Sequence, residues 1–314
     1  MIRIGLDVMG GDYAPHAILA GAGLAKKTLP EDVRIVLVGN KEIIHKQLKK
    51  YPVLKDCADI VHAPEVIEMG DHPTKAFSQK QESSIAIGFK LLEQKKVDAF
   101  ASAGNTGAML VGTTMTVKTI PGVIRPSIAA TLPNIHNGQT VILDVGIAPD
   151  SRPDVLFQYG LLGSLYAQYV FKIPKPRVAL LNIGTESTKG NLVTRSAYEI
   201  MKDTRHYQFV GNIESNEFFT SDKADVVVCD GFVGNIILKE AESFYLIAKS
   251  RGIKDDFLER FNFEKYGGTP VLGVNGNVII GHGISNETAI KNMLHQTLEI
   301  VRADLTNKIL KAFK

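Results

Sequence analysis

Short apolar runs alternate with longer amphipathic stretches along almost the whole chain. Apolar runs between turn residues are typical of buried strands, and apolar positions spaced three and four apart are typical of helices packed on one face. The pattern therefore predicts an α/β fold with a doubly wound, largely parallel sheet and helices on both faces. The predicted strands are 2–8, 33–38, 60–62, 97–101, 128–132, 141–144, 178–181, 208–210, 226–229 and 278–280. The predicted helices are a first one that ends near 27, helices over 41–50, 84–94, 109–117 and 155–171, one that ends at 203, one that begins at 230–235, and a single long C-terminal helix capped by Ser285.

Glycine occurs together with Asp, Asn or Ser after at least five of the predicted strands. In doubly wound sheets, ligands bind beyond the carboxyl ends of the strands, so loops that share this edge are expected to form one site. The five loops are 7–12, 102–107, 144–146, 182–191 and 230–235.

The most informative loop is Ser102-Ala103-Gly104-Asn105-Thr106-Gly107-Ala108, between a predicted strand and a predicted helix. Glycines let the backbone N–H groups approach an anion closely, and the start of the helix adds unpaired N–H groups and the positive end of its dipole. The stretch is interpreted as a phosphate-binding nest. The alternative is a tight strand-to-helix turn with Ser or Asn as the helix cap.

Composition excludes several classes of protein. The 314 residues are 45% hydrophobic and 22% charged, and a net charge of +3 does not indicate a nucleic-acid partner. Only two cysteines are present, Cys57 and Cys229, without a disulfide framework, which favours a reducing cytoplasm. The N-terminus has no signal-peptide pattern, and no apolar run approaches the ~20 residues of a membrane span, although association with a membrane surface stays open.

Common catalytic motifs are missing from the sequence. No glycine fingerprint for dinucleotides follows a strand, and no Walker P-loop, zinc-protease helix motif or serine-hydrolase elbow occurs. Cys229 ends an apolar run and is interpreted as a buried small residue, and His282 is the one histidine in a loop of interest. The functional groups that remain are backbone amide donors, a lysine and side-chain amides. They are suited to binding a phosphate without a nucleotide cofactor.

Taken together, the loops resemble one family, the bacterial phosphate acyltransferases of fatty acid and phospholipid synthesis. The matching stretches are 7–15, 102–108, 125–126, 143–146, 181–184 with 189–191, 230–235, 266–268 and 281–283, in the family's order along nearly the whole chain. The resemblance implies a fold like that of isocitrate and isopropylmalate dehydrogenases and of phosphotransacetylases. It also implies one three-layer domain over 1–314, a homodimer, and synthesis of acyl phosphate from acyl-[acyl-carrier-protein] and inorganic phosphate. The residues themselves predict no cofactor and no metal, since nothing in the sequence fixes the spacing of the acidic residues.

The resemblance also implies roles for particular residues. Lys189 is expected to bind phosphate or the developing charge, and Asn235 to orient the thioester carbonyl oxygen. Asp7, Asp12, Asp144 and Asp230 are carboxylates that would repel phosphate, so their expected contribution is to order the loops. The substrate-binding candidates are Asp7, Gly10, Gly11, Asp12, Lys80, Ser102, Ala103, Gly104, Asn105, Thr106, Gly107, Asn182, Gly184, Asp230, Gly231, Gly234 and His282.

Three features depart from the family's pattern. Ala148 stands where the family usually has Asn, and Ser78 stands where it often has Arg. The segment 236–265 is shorter than usual; in the family this region forms a protruding helical pair linked to dimer contact and membrane association. Its apolar and basic residues favour dimer packing here, with a membrane surface or an acidic carrier protein as alternatives. The downstream partner implied is a glycerol-phosphate acyltransferase.

Two other functions remain open from the residues alone. The same fold would serve a metal-dependent NAD(P) hydroxyacid dehydrogenase, which needs paired aspartates for a metal. A non-enzymatic scaffold at the inner face of the membrane is the other alternative. For the acyltransferase, the site needs mainly to place two reactants and to stabilise an oxyanion.

Overall fold

The computed structural model describes residues 1–55, 57–136 and 138–314. The strands are β1 (Ile2–Asp7), β2 (Val33–Gly39), β3 (Ala58–His62), β4 (Ala99–Ser102), β5 (Ser127–Pro133), β6 (Gln139–Leu143), β7 (Arg177–Leu181), β8 (Gln208–Ile213), β9 (Val226–Val228), β10 (Thr269–Leu272) and β11 (Asn277–Ile280). The helices are α1 (His16–Lys26), α2 (Lys41–Leu48), α3 (Pro73–Gln79), α4 (Ser84–Glu93), α5 (Thr106–Gly112), α6 (Pro153–Tyr169), α7 (Leu192–Met201), α8 (Ser215–Thr220), α9 (Gly231–Ser250), α10 (Glu287–Arg302) and α11 (Leu305–Ala312).

The chain divides into two compact units. The first comprises Met1–Thr119 and Phe263–Thr306, and the second comprises Ile120–Asn262 and Asn307–Lys314. The prediction of one domain over 1–314, with a protruding segment at 236–265, stays a prediction.

The first unit contains six strands in the order β3-β2-β1-β4-β11-β10. All neighbours are parallel except β10 and β11, which form an antiparallel pair. Most apolar residues of the inner strands are almost fully buried, whereas those of β3 at the edge are half-buried. A Cβ on Gly21 of α1 would lie 2.5 Å from Cβ of Ile290 in α10. Gly21 therefore allows α1 to pack closely on α10.

The second unit contains five strands in the order β5-β6-β9-β7-β8. The β5–β6 pair is antiparallel and the remaining neighbours are parallel. The central strand β9 is short, and each of its three valines is buried. In each unit the predicted alternation of strands and helices, and the largely parallel sheet, are confirmed.

Several local predictions are wrong. The C-terminal region is two helices rather than one, because the chain breaks at Asp304, whose φ is +53°. The cap of α10 is Asn286, whose side chain accepts a hydrogen bond from Ala289 N, and not Ser285. The sequence analysis does not predict α3, α8 and β10. The two helices are shorter than two full turns, and the strand is too short to show a clear alternation.

Candidate active site

In the first unit, a buried aspartate orders the loop after β1. The carboxylate of Asp7 accepts hydrogen bonds from Ser102 Oγ at 2.7 Å and from the backbone N of Met9 at 3.0 Å. Burial raises the pKa of Asp7 above its ordinary value, against the opposing effect of these hydrogen bonds. Gly10 is required beside it, because a Cβ there would lie 2.4 Å from Asp7 Oδ2 and 2.7 Å from Gly104. Asp7 thus holds the loops after β1 and β4 together.

The loop after β4 begins α5, and its polar side chains already have partners. Asn105 is the N-cap, and its Oδ1 accepts from Ala108 N at 2.9 Å. Its amide nitrogen donates to the carbonyl oxygens of Glu68, Met69 and Asp71, at 3.0, 3.1 and 3.1 Å. The capping alternative therefore describes the Asn105 side chain. The N–H groups of Ala108 and Met109 donate to Asn105, so those of Thr106 and Gly107 are the ones at the start of α5 that are suited to an anion.

Three other substrate-binding candidates of the first unit differ in whether their side chains are already bonded or packed. The ammonium group of Lys80 donates to Asp71 Oδ2 at 2.6 Å and to the carbonyl oxygen of Val66 at 2.8 Å. The His282 ring packs against Phe263, with ring centroids 4.7 Å apart. Asp12 is exposed, and its backbone N donates to the carbonyl oxygen of Gly283. Substrate contact by these residues stays a prediction.

In the second unit, Asp144 is a buried aspartate that orders the loop after β6, as Asp7 orders the loop after β1 in the first unit. Its carboxylate accepts from the backbone N atoms of Ile128, Ile147 and Ala148, at 2.9, 3.0 and 2.7 Å. Burial raises its pKa above the ordinary value. The loop after β6 is thereby held in one conformation.

The start of α9 packs directly on this loop. A Cβ on Gly234 would lie 2.0 Å from the carbonyl oxygen of Asp144, and one on Gly231 would lie 2.5 Å from Asp144 Oδ2. Asp230 caps the helix by accepting from Val233 N at 2.8 Å. Both glycines and Asp230 are thus explained by local structure. The N–H groups of Gly231, Val233 and Gly234 donate to Ala148 O, Asp230 Oδ1 and Asp230 O, so most of the first turn of α9 is engaged within the unit.

Lys189 lies in the loop after β7. Its stem packs on Gly184, where a Cβ would lie 2.8 Å from Lys189 Cγ. The following residue, Gly190, has a φ of +91°, and a Cβ there would lie 2.4 Å from Asn182 Oδ1. Asn182 in turn donates to the carbonyl oxygen of Lys189 at 3.2 Å. Lys189 is exposed, and none of the described residues pairs with its ammonium group.

Asn235 is exposed one turn into α9. Its Oδ1 would lie 3.9 Å from a Cβ on Gly146, so the side chain faces the loop after β6. Because successive helical residues are about 100° apart, Val233 points to the opposite side of α9, toward the loop after β7. Strand β9 lies between β6 and β7. Lys189 and Asn235 therefore flank the start of α9 from its two sides.

A cavity of about 630 Å³ opens on the β7 side of α9. Its lining combines polar residues, among them Asn182, Asn191 and Asp230, with apolar side chains such as Leu181 and Val233. Cys229 lies in its lining, and burial raises the pKa of that thiol well above its ordinary value, as expected for a buried small residue. No group of three or more His, Cys, Asp or Glu side chains in the described ranges is arranged to hold a metal ion.

The architecture defines a class of α/β proteins that includes both acyltransferases and dehydrogenases. A phosphotransacetylase from Staphylococcus aureus superposes with a TM-score of 0.65 at 17% identity, covering 96% of this chain and 94% of that one. A 4-hydroxythreonine-4-phosphate dehydrogenase from Klebsiella pneumoniae superposes with a TM-score of 0.59 at 13% identity, covering 96% and 100%. These similarities establish the fold alone, and they confirm the predicted fold class.

Comparison of the amino-acid sequence with known families and relatives identifies the family. The sequence model of the family described as fatty acid synthesis protein matches residues 2–308, and the chain belongs to this family. The phosphate acyltransferase of Dictyoglomus turgidum is 39% identical over 329 residues, covering 99% of this chain and 97% of the relative. That of Desulforamulus reducens is 41% identical over 327 residues, covering 98% and 96%. The resemblance drawn from the loop motifs is confirmed.

The sequence reasoning missed one feature near these loops. A second cavity, lined mainly by aromatic and aliphatic side chains, lies on the same face of α9. Its aromatic residues are spread over 219–261, so no local motif indicates it. The sequence signal nearest to this cavity is the apolar part of the segment 236–265, which predicts a contact surface.

Proposed function

We propose that the chain transfers the acyl group of an acyl-[acyl-carrier-protein] to inorganic phosphate, giving acyl phosphate and free carrier protein for phospholipid synthesis. Membership of the family and the enzyme class of the curated relatives support this function. The observation that carries it is Lys189, an exposed ammonium group held on a glycine loop beside the start of α9. The dehydrogenase and scaffold alternatives have no comparable support.

The chemistry asks little of a general acid or base. Near neutral pH, phosphate carries most of its second negative charge, since phosphomonoesters titrate at about 6. A phosphate oxygen attacks the thioester carbon and the carbon–sulfur bond breaks. The thiolate leaves with the electron pair and takes a proton from solvent, which is feasible because an ordinary thiol has a pKa of about 8.5. Placement of the reactants and stabilisation of the oxyanion are the enzyme's main tasks.

The residues divide these tasks. Lys189 attracts phosphate or the developing charge as a compact cation, and Asn235 donates its amide to the thioester carbonyl oxygen. The glycine loop that carries Lys189 supplies further backbone donors. Asp7, Asp144 and Asp230 keep the loops ordered by accepting backbone hydrogen bonds. No cofactor or metal is part of this proposal.

The proposal extends to partners and location. The chain acts in the cytoplasm as a homodimer, at or near the inner membrane face, where a glycerol-phosphate acyltransferase consumes the product. Exposed apolar residues of α9, among them Phe232, Ile236 and Ile247, support a contact surface on this helix. No helix in the described ranges is long and apolar enough to cross a membrane.

The direct experiment mixes purified protein with acyl-[acyl-carrier-protein] and inorganic phosphate. Acyl phosphate, trapped as its hydroxamate, and free thiol should appear in equal amounts. Both products should be lost when phosphate is omitted. Reduction of NAD with a hydroxyacid, without thiol release, would instead establish a dehydrogenase. Absence of reaction both with acyl-[acyl-carrier-protein] and phosphate and with NAD and a hydroxyacid would favour the non-enzymatic scaffold.

A further inference from the structure

The second cavity on α9 is apolar and has the size of a ligand site. Its volume is about 350 Å³, within the usual range of roughly 300–1,000 Å³ for ligand pockets. The walls come from three parts of the second unit: one face of α9, α8, and the turn 257–261. Most lining side chains are apolar, and five of the eleven are aromatic, among them Phe219, Phe244, Phe257 and Phe261.

The wall opposite α9 is fixed in place. The guanidinium group of Arg260 donates to the carbonyl oxygens of Asn134, at 3.1 Å, and of Gly138. Tyr245 of α9 donates to Glu259 Oε2 at 3.3 Å, which ties the helix to the same turn. The Phe261 ring packs edge-on against Phe257, with ring centroids 5.3 Å apart. The cavity is thus a built feature of the unit.

The two cavities adjoin along α9. Ser215, Ile237 and Glu240 line both of them. Val233 lines the first cavity and Tyr245 the second, and the helical rise places them about 18 Å apart. The lining positions between them recur every three to four residues, so they form one stripe on the helix. A ligand that begins at the loop of Lys189 can follow this stripe into the aromatic cavity.

We infer that the aromatic cavity holds the hydrocarbon tail of the acyl thioester. The inference rests on the proposed function, because it takes the thioester carbon to lie near Lys189. A long acyl chain extends along α9, with its polar head at the rim formed by Asn182 and Gly190 and its terminal carbons among the phenylalanine rings. Glu240 is exposed, so its carboxylate stays hydrated while its stem borders the path.

The shape of the site favours a tail over a second copy or a membrane surface. A concave, partly aromatic cavity that adjoins one with polar side chains near the loop of Lys189 matches a molecule with an apolar chain and a polar head. Leu246 and Ile247 are as exposed as Phe244, at 58%, 54% and 61%, but they line neither cavity. A protein or lipid surface on α9 would engage these convex residues, whereas a tail would not.

A fluorescence experiment tests occupancy without relying on turnover. The chain has no tryptophan, so Phe257→Trp places a single reporter in the cavity and Leu246→Trp places one outside it. Palmitoyl-[acyl-carrier-protein], added without phosphate, should shift the emission of the first reporter to the blue and leave the second unchanged. Butyryl-[acyl-carrier-protein] should shift neither. Equal responses of the two reporters, or no response to palmitate, would overturn the inference.

A kinetic experiment separates the tail site from the reaction itself. Phe244→Asp should lower kcat/KM for palmitoyl relative to butyryl thioester by about tenfold, since burying an aromatic side chain is worth a factor of this order. Leu246→Asp is the matched control and should preserve the ratio. Equal losses with both chain lengths, or the same change of ratio in the control, would assign α9 to a membrane or a second copy. Failure of the unmodified protein to make acyl phosphate from either thioester would refute the proposed function, whereas the reporter would still decide occupancy of the cavity.

Discussion

The loops after β1 and β4 in the first unit and those after β6 and β9 in the second follow the same plan. In each unit a buried aspartate, Asp7 or Asp144, accepts hydrogen bonds within its own unit and lies against glycines that allow no Cβ. The polar side chains around them differ. Lys80 and Asn105 of the first unit are held by carboxylate and carbonyl oxygens, whereas Lys189 and Asn235 of the second are exposed.

This difference in hydrogen bonding distinguishes residues that hold loops in place from residues that can bind substrate. A lysine already bonded to a carboxylate and a carbonyl must lose both partners before it binds an anion, whereas an exposed lysine gives up only water. The side chains of the second unit are therefore better placed to react with substrate. Those of the first unit keep a set of backbone N–H groups in position.

The largest expected effect comes from the exposed pair. Lys189→Ala and Asn235→Ala should each fold normally and lose about 10²–10³ in turnover, the usual result of removing one oxyanion donor. Lys80→Ala should lose less, because its ammonium group is already shared with Asp71 and Val66. Steady-state assays of acyl phosphate formation measure both, with Lys175→Ala as a control on an exposed lysine elsewhere. Near-normal turnover of the first two variants would remove them from the active site.

A stability test addresses the close packing around Asp144. Gly234→Ala should lower the free energy of unfolding by about 1–3 kcal/mol, because a Cβ has no room beside the Asp144 carbonyl oxygen. Gly70→Ala is the control, since a Cβ there meets nothing within 4 Å. Denaturant unfolding gives both values. Similar stabilities of the two variants would contradict the packing argument.

The two helix caps offer a smaller contrast. Asn105→Ala removes the cap of α5 and three hydrogen bonds to carbonyl oxygens, so we expect a loss of about 2 kcal/mol in unfolding free energy. Asp230→Ala removes the single cap bond of α9 and should cost about 1 kcal/mol. Calorimetric or denaturant unfolding ranks the two, and the reverse order would show that Asn105 is not the main tie of its loop.

The smallest expected effect is a dependence of stability on pH. Burial raises the pKa of Asp7 in the folded protein, so the folded state favours the protonated acid and stability falls as the pH rises from about 4 through the raised pKa. Asp7→Asn should remove the share of this fall that Asp7 causes, and Asp144→Asn should remove the share of Asp144, whose pKa is raised in the same direction. Unfolding curves recorded between about pH 4 and pH 7 measure the change.

Asp71 supplies a control of opposite sign. Its hydrogen bond from Lys80 lowers its pKa, so its contribution to stability is present above about pH 4 and is lost as the pH falls through the lowered pKa. Asp71→Asn should therefore differ most from the unmodified protein at neutral pH. Parallel stability curves for the Asp7 and Asp71 variants would contradict both assignments.

The sequence by itself determined the alternation of strands and helices, the glycine loops at the strand ends and, through their order, the family. These features are local, because a buried strand, a tight turn or a cap depends on a few neighbouring residues. It also placed Asn105 and Asp230 at helix starts, where short polar side chains cap the first turn.

Only the tertiary structure decided which of the predicted residues are engaged and which are exposed. No sequence pattern distinguishes Lys80 from Lys189. In the structure the ammonium group of Lys80 is bonded to Asp71 and Val66, whereas the stem of Lys189 packs on Gly184 and its ammonium group stays exposed. The aromatic cavity likewise joins residues from 219 to 261 that no short-range pattern connects. Burial and partners depend on contacts between distant parts of the chain, whereas propensity and spacing report only on near ones.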